Sequence, residues 1–173
     1  MGNQQATLST EDLGWLGGIL DGEGCISLTR RPRAHGVMNY KPYVVISNSD
    51  PFLIEEIASL LRALGIGHWV QWRRPHRGTM AKKMMGIITV AGLRRCEKAL
   101  ALLTPYIRGK KREAELVAEW ITRRLAINPG KNGTYSEKDD WYYTEIRRLK
   151  DKGAPETIRG GHRWASEPDD GKI

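Results

Sequence analysis

Asp21-Gly22-Glu23-Gly24 sets two carboxylates among glycines. Glycine on either side of Glu23 removes steric cover and frees the backbone, so this carboxylate and the Gly22 carbonyl can both face outward. An acid at the C-terminal end of a helix meets the unfavourable end of its dipole. Beside a polyanion it would also repel phosphate, unless a divalent cation lay between them. One carboxylate, a carbonyl, water and a phosphate oxygen form the all-oxygen ligand set that Mg²⁺ prefers, and such a set suits hydrolytic phosphoryl transfer. Alone, the four residues also make an ordinary turn; their neighbours decide between the two.

The preceding residues predict a helix over 9–21. Ser9 or Thr10 can cap it, Glu11 and Asp12 suit its positive end, and Leu13, Leu16 and Leu20 form one apolar stripe. Gly14, Gly17 and Gly18 interrupt it, each costing about 0.5–1 kcal/mol relative to alanine. Gly14 and Gly18, four apart, bare one face and permit close backbone approach. The partner is either a helix of the same chain or the same helix of a second chain about a two-fold axis. On the second alternative, Gly14, Gly17 and Gly18 form a homodimer seam.

The following residues are basic. The 173-residue chain carries a net charge of +8, but the sign is segregated. Residues 1–24 hold four acids and no Lys or Arg, residues 25–90 sum to +7, residues 91–127 to +5, and residues 128–173 balance. No acid lies between Glu56 and Glu97, where Arg62, Arg73, Arg74, Arg77, Lys82, Lys83, Arg94 and Arg95 fall. Long acid-free, arginine-rich stretches mark a polyanion-binding face.

Alternation predicts strands over 25–33, 39–48, 66–74 and 84–91, and apolar periodicity predicts helices over 51–64, 93–103, 108–125 and 136–152. Asp50 and Pro51 start the second helix and Gly65 ends it. The order is α-β-β-α-β-β-α-α with one more helix, an α+β fold whose antiparallel sheet carries helices on one face only. One domain over 1–152 is expected, with its core at 8–127, and a weakly ordered tail over 153–173. No apolar run is long enough to span a bilayer, and the opening residues lack a signal-peptide pattern. Two cysteines make neither a disulfide framework nor a four-cysteine zinc site. The expectation is an intracellular protein, in cytoplasm or organelle matrix, that neither enters a membrane nor is secreted.

Leu16-Gly17-Gly18-Ile19-Leu20-Asp21-Gly22-Glu23-Gly24 resembles the nine-residue LAGLIDADG motif of homing endonucleases, and the αββαββα order is that family's core. The motif occurs once, as in the branch that works as a homodimer. The resemblance implies a motif-helix interface and two saddle-shaped antiparallel sheets in the major groove of a long pseudo-palindromic DNA site. Its implied product is a double-strand break with 3′ overhangs. Glu23 would ligate Mg²⁺, with Mn²⁺ as a substitute, and the Gly22 carbonyl would assist; the family's usual acid is Asp, one methylene shorter. Asn48 falls on the family's polar position at the end of the second strand, and Lys110, with Lys111 as rival, on its solvent-ordering basic position. An Arg that some members carry early in the second helix falls on Leu53, leaving Arg73 as a replacement. Asp21 is expected to orient the motif. An intron RNA maturase and a non-catalytic DNA-binding regulator on the same scaffold are the competing readings.

For base readout, the polar sides of the strands offer Ser27, Thr29, Arg31 and Arg33, then Asn39, Lys41 and Tyr43, then Gln71 and Arg73. Cys25 heads the first of these rows, yet Cys25 and Cys96 are read as buried small hydrophobes. In the third strand both faces carry tryptophan, Trp69 and Trp72, which leaves its register open. Trp15, Trp120 and Trp141 are read as core or interface. The four histidines are scattered without metal-ligand spacing.

Overall fold

The computed structural model describes residues 9–33, 38–74, 83–127 and 135–151. The expected tail over 153–173 lies outside these residues, as do residues 75–82 between the third and fourth expected strands and residues 128–134 before the last expected helix. The elements are α1 (Thr10–Glu23), β1 (Gly24–Pro32), β2 (Met38–Asn48), α2 (Pro51–Ala63), β3 (Trp69–Arg73), β4 (Met85–Ala91), α3 (Leu93–Leu103), α4 (Lys111–Ala126) and α5 (Glu137–Lys150), with a 3₁₀ turn at Thr104–Tyr106. The four strands form one antiparallel sheet in the order β1-β2-β4-β3.

Local chemistry fixes the boundaries. Ser9 caps α1 reciprocally, its hydroxyl accepting from the Asp12 N–H while the Asp12 carboxylate accepts the Ser9 N–H. The helix continues two residues beyond the expected Asp21, because the Gly24 N–H still reaches the Leu20 carbonyl. Strand β3 starts at Trp69 and not at Ile66. Gly65 turns at φ +63°, the Ile66 N–H donates to Leu61 O at 2.8 Å, and the buried Ile66 side chain finishes α2. Ser136 and Asp139 make the capping box that opens α5.

Strand alternation divides the sheet. Ile26, Leu28, Val44, Ile46, Ile88 and Val90 point into the helix layer, where Ile54, Ile57, Leu100, Leu116, Val117 and Trp120 meet them. The opposite face carries Thr29, Lys41, Tyr43, Gln71 and Thr89, and the β1–β2 and β3–β4 registers align these rows. Helix α5 docks on β1 and α4. It is anchored by the fully buried Asp139, which accepts from Trp120 Nε1 at 2.9 Å and pairs with Arg123 at 3.0 Å and Arg124 at 3.7 Å. Among the described residues no helix is long and apolar enough to cross a membrane.

Candidate nucleic-acid interface and cation-binding end

The C-terminus of α1 meets the start of α4. The Asp21 carboxylate accepts the backbone N–H groups of Arg108 at 2.6 Å, Gly109 at 2.8 Å and Lys110 at 2.8 Å. Partial desolvation pushes its pKa up, but the three N–H donors and the Lys110 ammonium outweigh that and hold it below the ordinary aspartate value. Asp21 is thus the orienting residue expected of it. Helix α4 starts at Lys111 and not at the expected Arg108, because Lys110, at φ −104° and ψ 18°, is non-helical and forms its N-cap.

Lys110 is engaged within its own chain. Its ammonium donates to the carbonyls of Asp21, Leu20 (3.2 Å) and Gly22 (3.4 Å), so it caps the helix end and does not reach into open solvent as an ordering cation. Lys111, the rival, is exposed at the first position of α4. Asn48 lies at the same end of the sheet as Glu23, because β1 and β2 pair from Gly24↔Ile46. Its Oδ1, however, accepts the Asp50 N–H at 2.9 Å and serves the start of α2.

Glu23 is exposed, and among the described residues its carboxylate has no hydrogen-bond or ionic partner. Around Gly22 the space is open. A carboxylate and a carbonyl are donors of the right hardness for a divalent cation; the Glu23 carboxylate is exposed, and the Gly22 carbonyl shares its oxygen with the Lys110 ammonium at 3.4 Å. They do not fill a coordination sphere alone, since among the described residues no group of three or more His, Cys, Asp or Glu side chains could hold a metal. The donor chemistry therefore fits a hard cation whose remaining ligands come from outside one chain.

The three glycines of α1 separate. A Cβ on Gly17 would lie 2.5 Å from Tyr106 Cβ and 3.1 Å from its backbone, and one on Gly14 would lie 3.9 Å from Tyr106 Cδ1. Gly17 is covered by its own chain, which corrects its place in the dimer seam: it lets the Thr104–Tyr106 turn approach the helix, while Gly14 stays half-buried at ordinary contact distance from the same ring. Gly18 faces open space, as does Gly22, and Trp15 on the same stripe is 39% exposed.

On the sheet face, Arg31, Arg33, Lys41 and Arg73 are exposed, and among the described residues none has an acidic partner. The arginines Arg30, Arg62, Arg94, Arg112, Arg123, Arg124 and Arg148 are all ion-paired. Arg31, Thr29, Asn39, Lys41, Tyr43 and Trp69 line a trough of about 310 Å³. Register puts Trp69, Gln71 and Arg73 on this face, while Trp72 covers Gly86 on the other. The Gln71 Oε1 accepts from Arg73 Nε at 3.3 Å and Nη2 at 3.2 Å. Asn39 Oδ1 lies 2.9 Å from the Tyr135 hydroxyl.

Two expectations fail here. Ser27, at 2% exposure, is too covered to meet a base, because the C-terminal turns of α5 reach the open side of β1 beside it. Cys96 is buried, which pushes its thiol pKa up to about 12. Cys25 is not: it is half-buried on the open face, 3.0 Å from Lys150 Nζ. No local pattern could have shown that contact, since it joins residues 125 positions apart.

The family model of the LAGLIDADG-like domain matches residues 10–101, more than half of the chain, and the chain belongs to that family. Solved structures similar to it include homing endonucleases. I-CvuI in complex with its target in the presence of 2 mM Ca matches with a TM-score of 0.61 and 20% identity, over 88% of this chain and 94% of its own. The archaeal intron-encoded I-Vdi141I, complexed with DNA, matches with a TM-score of 0.64 and 16% identity, over 83% and 87%. I-LtrWI bound to target DNA matches with a TM-score of 0.56 and 18% identity, over 89% of this chain but 46% of its own. At these identities the likeness establishes the fold. No curated protein matches the chain in a sequence search.

Proposed function

We propose that this chain is a site-specific homing endonuclease that hydrolyses both strands of a long pseudo-palindromic DNA site, as a homodimer and with Mg²⁺. The observation that carries the reading is a sheet face whose Arg31, Arg33, Lys41 and Arg73 have no acidic partners among the described residues, on a sheet whose first strand begins directly after the exposed Glu23. Unpaired cations across a trough suit phosphate and base edges. A bare carboxylate on the same sheet would repel a bound phosphate without a cation between them.

Glu23 and the Gly22 carbonyl are the residues that would hold Mg²⁺, or Mn²⁺ in its place. The bound ion supplies positive charge at the reacting phosphate. One chain offers one such carboxylate for two strands, so a second copy is required. The open stripe of Trp15, Gly18 and Gly22 on α1 is the face we assign to it. Within each chain, Asp21 and Lys110 hold the end of α1 in place, while Thr29, Arg31, Arg33, Asn39, Lys41, Tyr43, Gln71 and Arg73 hold and read the duplex. Arg to guanine and Asn or Gln to adenine are the informative base pairings. The break would leave 3′ overhangs.

Glu23→Gln tests this directly. On DNA carrying the insertion site, in Mg²⁺, the variant is expected to lose cleavage while its Kd for the duplex stays within about twofold of wild type. Normal cutting by the variant would remove Glu23 from the site. A wild type that cuts nothing but binds intron RNA tightly would favour the maturase reading, and one that only binds DNA would favour a regulator.

A further inference from the structure

Helix α5 places a cation beside the Glu23 end of the DNA face. Its first half is tied to the helix-layer side of the sheet, where Asp140 accepts from the Tyr40 hydroxyl at 2.7 Å and pairs with Arg30 at 3.0 Å. Its last turn crosses the β1 edge, so that Lys150 Nζ lies 3.0 Å from Cys25 Sγ and 6.0 Å from the Tyr43 ring centroid, both on the open side. Cys25 is two residues beyond Glu23. The last turn carries three basic residues. Arg148 pairs with Glu145 at 2.7 Å and Arg147 meets the Tyr143 hydroxyl at 3.5 Å. Lys150 has, among the described residues, only the thiol and the ring.

Lys150 also borders two openings. One, of about 420 Å³, includes Asp21, Gly24, Cys25 and Lys110 in its lining. The other, of about 400 Å³, runs along β1 past Thr29, Tyr43 and Arg147. A thiol is a weak acceptor and a phenol face a modest one, whereas a phosphate oxygen makes a charge-assisted hydrogen bond. Moving from the first pair to the second gives up little.

Resting on the DNA reading above, we propose that Lys150 is a phosphate-binding residue of the DNA face next to Glu23. The ligand is a backbone phosphate of duplex DNA. The contact carries no sequence information, and it extends the protein's footprint from the sheet onto α5.

The test measures the affinity of a random-sequence duplex against salt, in Ca²⁺, for wild type, Lys150→Gln and Lys150→Arg. Each phosphate contact contributes about 0.9 to the slope of log K against log salt. Lys150→Gln should lower the slope by about that much per chain, and Lys150→Arg should restore it. An unchanged slope in Lys150→Gln overturns the assignment while leaving the DNA reading intact; a wild type that binds no duplex overturns both. A second measurement uses the wild-type protein alone. Duplex should slow acetylation of Lys150 at least threefold and leave Lys98, on α3, unchanged; equal rates at Lys150 with and without duplex overturn the proposal.

Discussion

Asp21→Asn isolates the junction that holds the end of α1. The carboxylate accepts three backbone N–H groups, two on Oδ2 and one on Oδ1. An amide keeps one acceptor oxygen, so at best the Arg108 and Gly109 bonds survive, while the Lys110 N–H faces an NH₂ donor. Losing one charge-assisted bond and weakening two others costs about 2 kcal/mol, the low end of the range because the site is partly exposed. For a domain of this size that lowers Tm by about 4–8 °C. The pH dependence is the sharper test. The folded-state pKa of Asp21 lies below its unfolded value of about 3.9. The stabilisation is therefore complete above that value and fades as pH falls through the folded-state pKa. Urea denaturation at fixed protein concentration should give the full difference between wild type and variant at pH 7 and a smaller one at pH 3. A difference equally large at pH 3 would mean that the charge of Asp21 does not act as described.

Gly17→Ala should destabilise the fold by about 2 kcal/mol or more in thermal melts, because its Cβ would collide with Tyr106, including its backbone. Gly18→Ala meets open space and should leave the melt unchanged or raise it by about 0.5–1 kcal/mol, yet weaken self-association in sedimentation. Asp139→Ala removes the anion from Trp120, Arg123 and Arg124. It should cost about 3–5 kcal/mol in urea unfolding, and a cost under 1 kcal/mol would contradict a buried ionic anchor. Arg31→Ala should relax base preference at one position by about 1–3 kcal/mol and lower the salt slope, read from binding to a randomised duplex library.

The sequence revealed whatever one element settles within itself. Helix α3 begins and ends at the expected Leu93 and Leu103 because its periodicity and flanking residues are local. The Ser136 cap and the Gly65 stop are visible for the same reason. Faces were harder. Spacing places Gly17 in the motif helix, but cannot show that Tyr106 already covers it. Alternation puts Ser27 in the polar row of β1, but cannot show that α5 comes round the sheet edge beside it. Asn48 and Lys110 sit at the expected positions along the chain. Where they fail is in what their atoms do, since Asn48 is engaged by the Asp50 N–H and Lys110 by three carbonyls.

Lys110 and Asp21 together resolve the difficulty that an acid at a helix C-terminus poses. Terminal carbonyls carry partial negative charge, and Glu23 adds a full one beside the face we assign to DNA. The Lys110 ammonium sits on the last carbonyls and offsets the dipole, and the Asp21 carboxylate fixes the Lys110 backbone and hence the ammonium's origin. The two residues cancel each other's charge and hold the end of α1 against α4, which leaves Glu23 as the uncompensated charge of the α1 C-terminus. A cation at Glu23 then answers one carboxylate, where without Lys110 it would also face the exposed helix dipole. Replacing Lys110 should therefore disturb the end of α1 first and DNA contact only as a consequence.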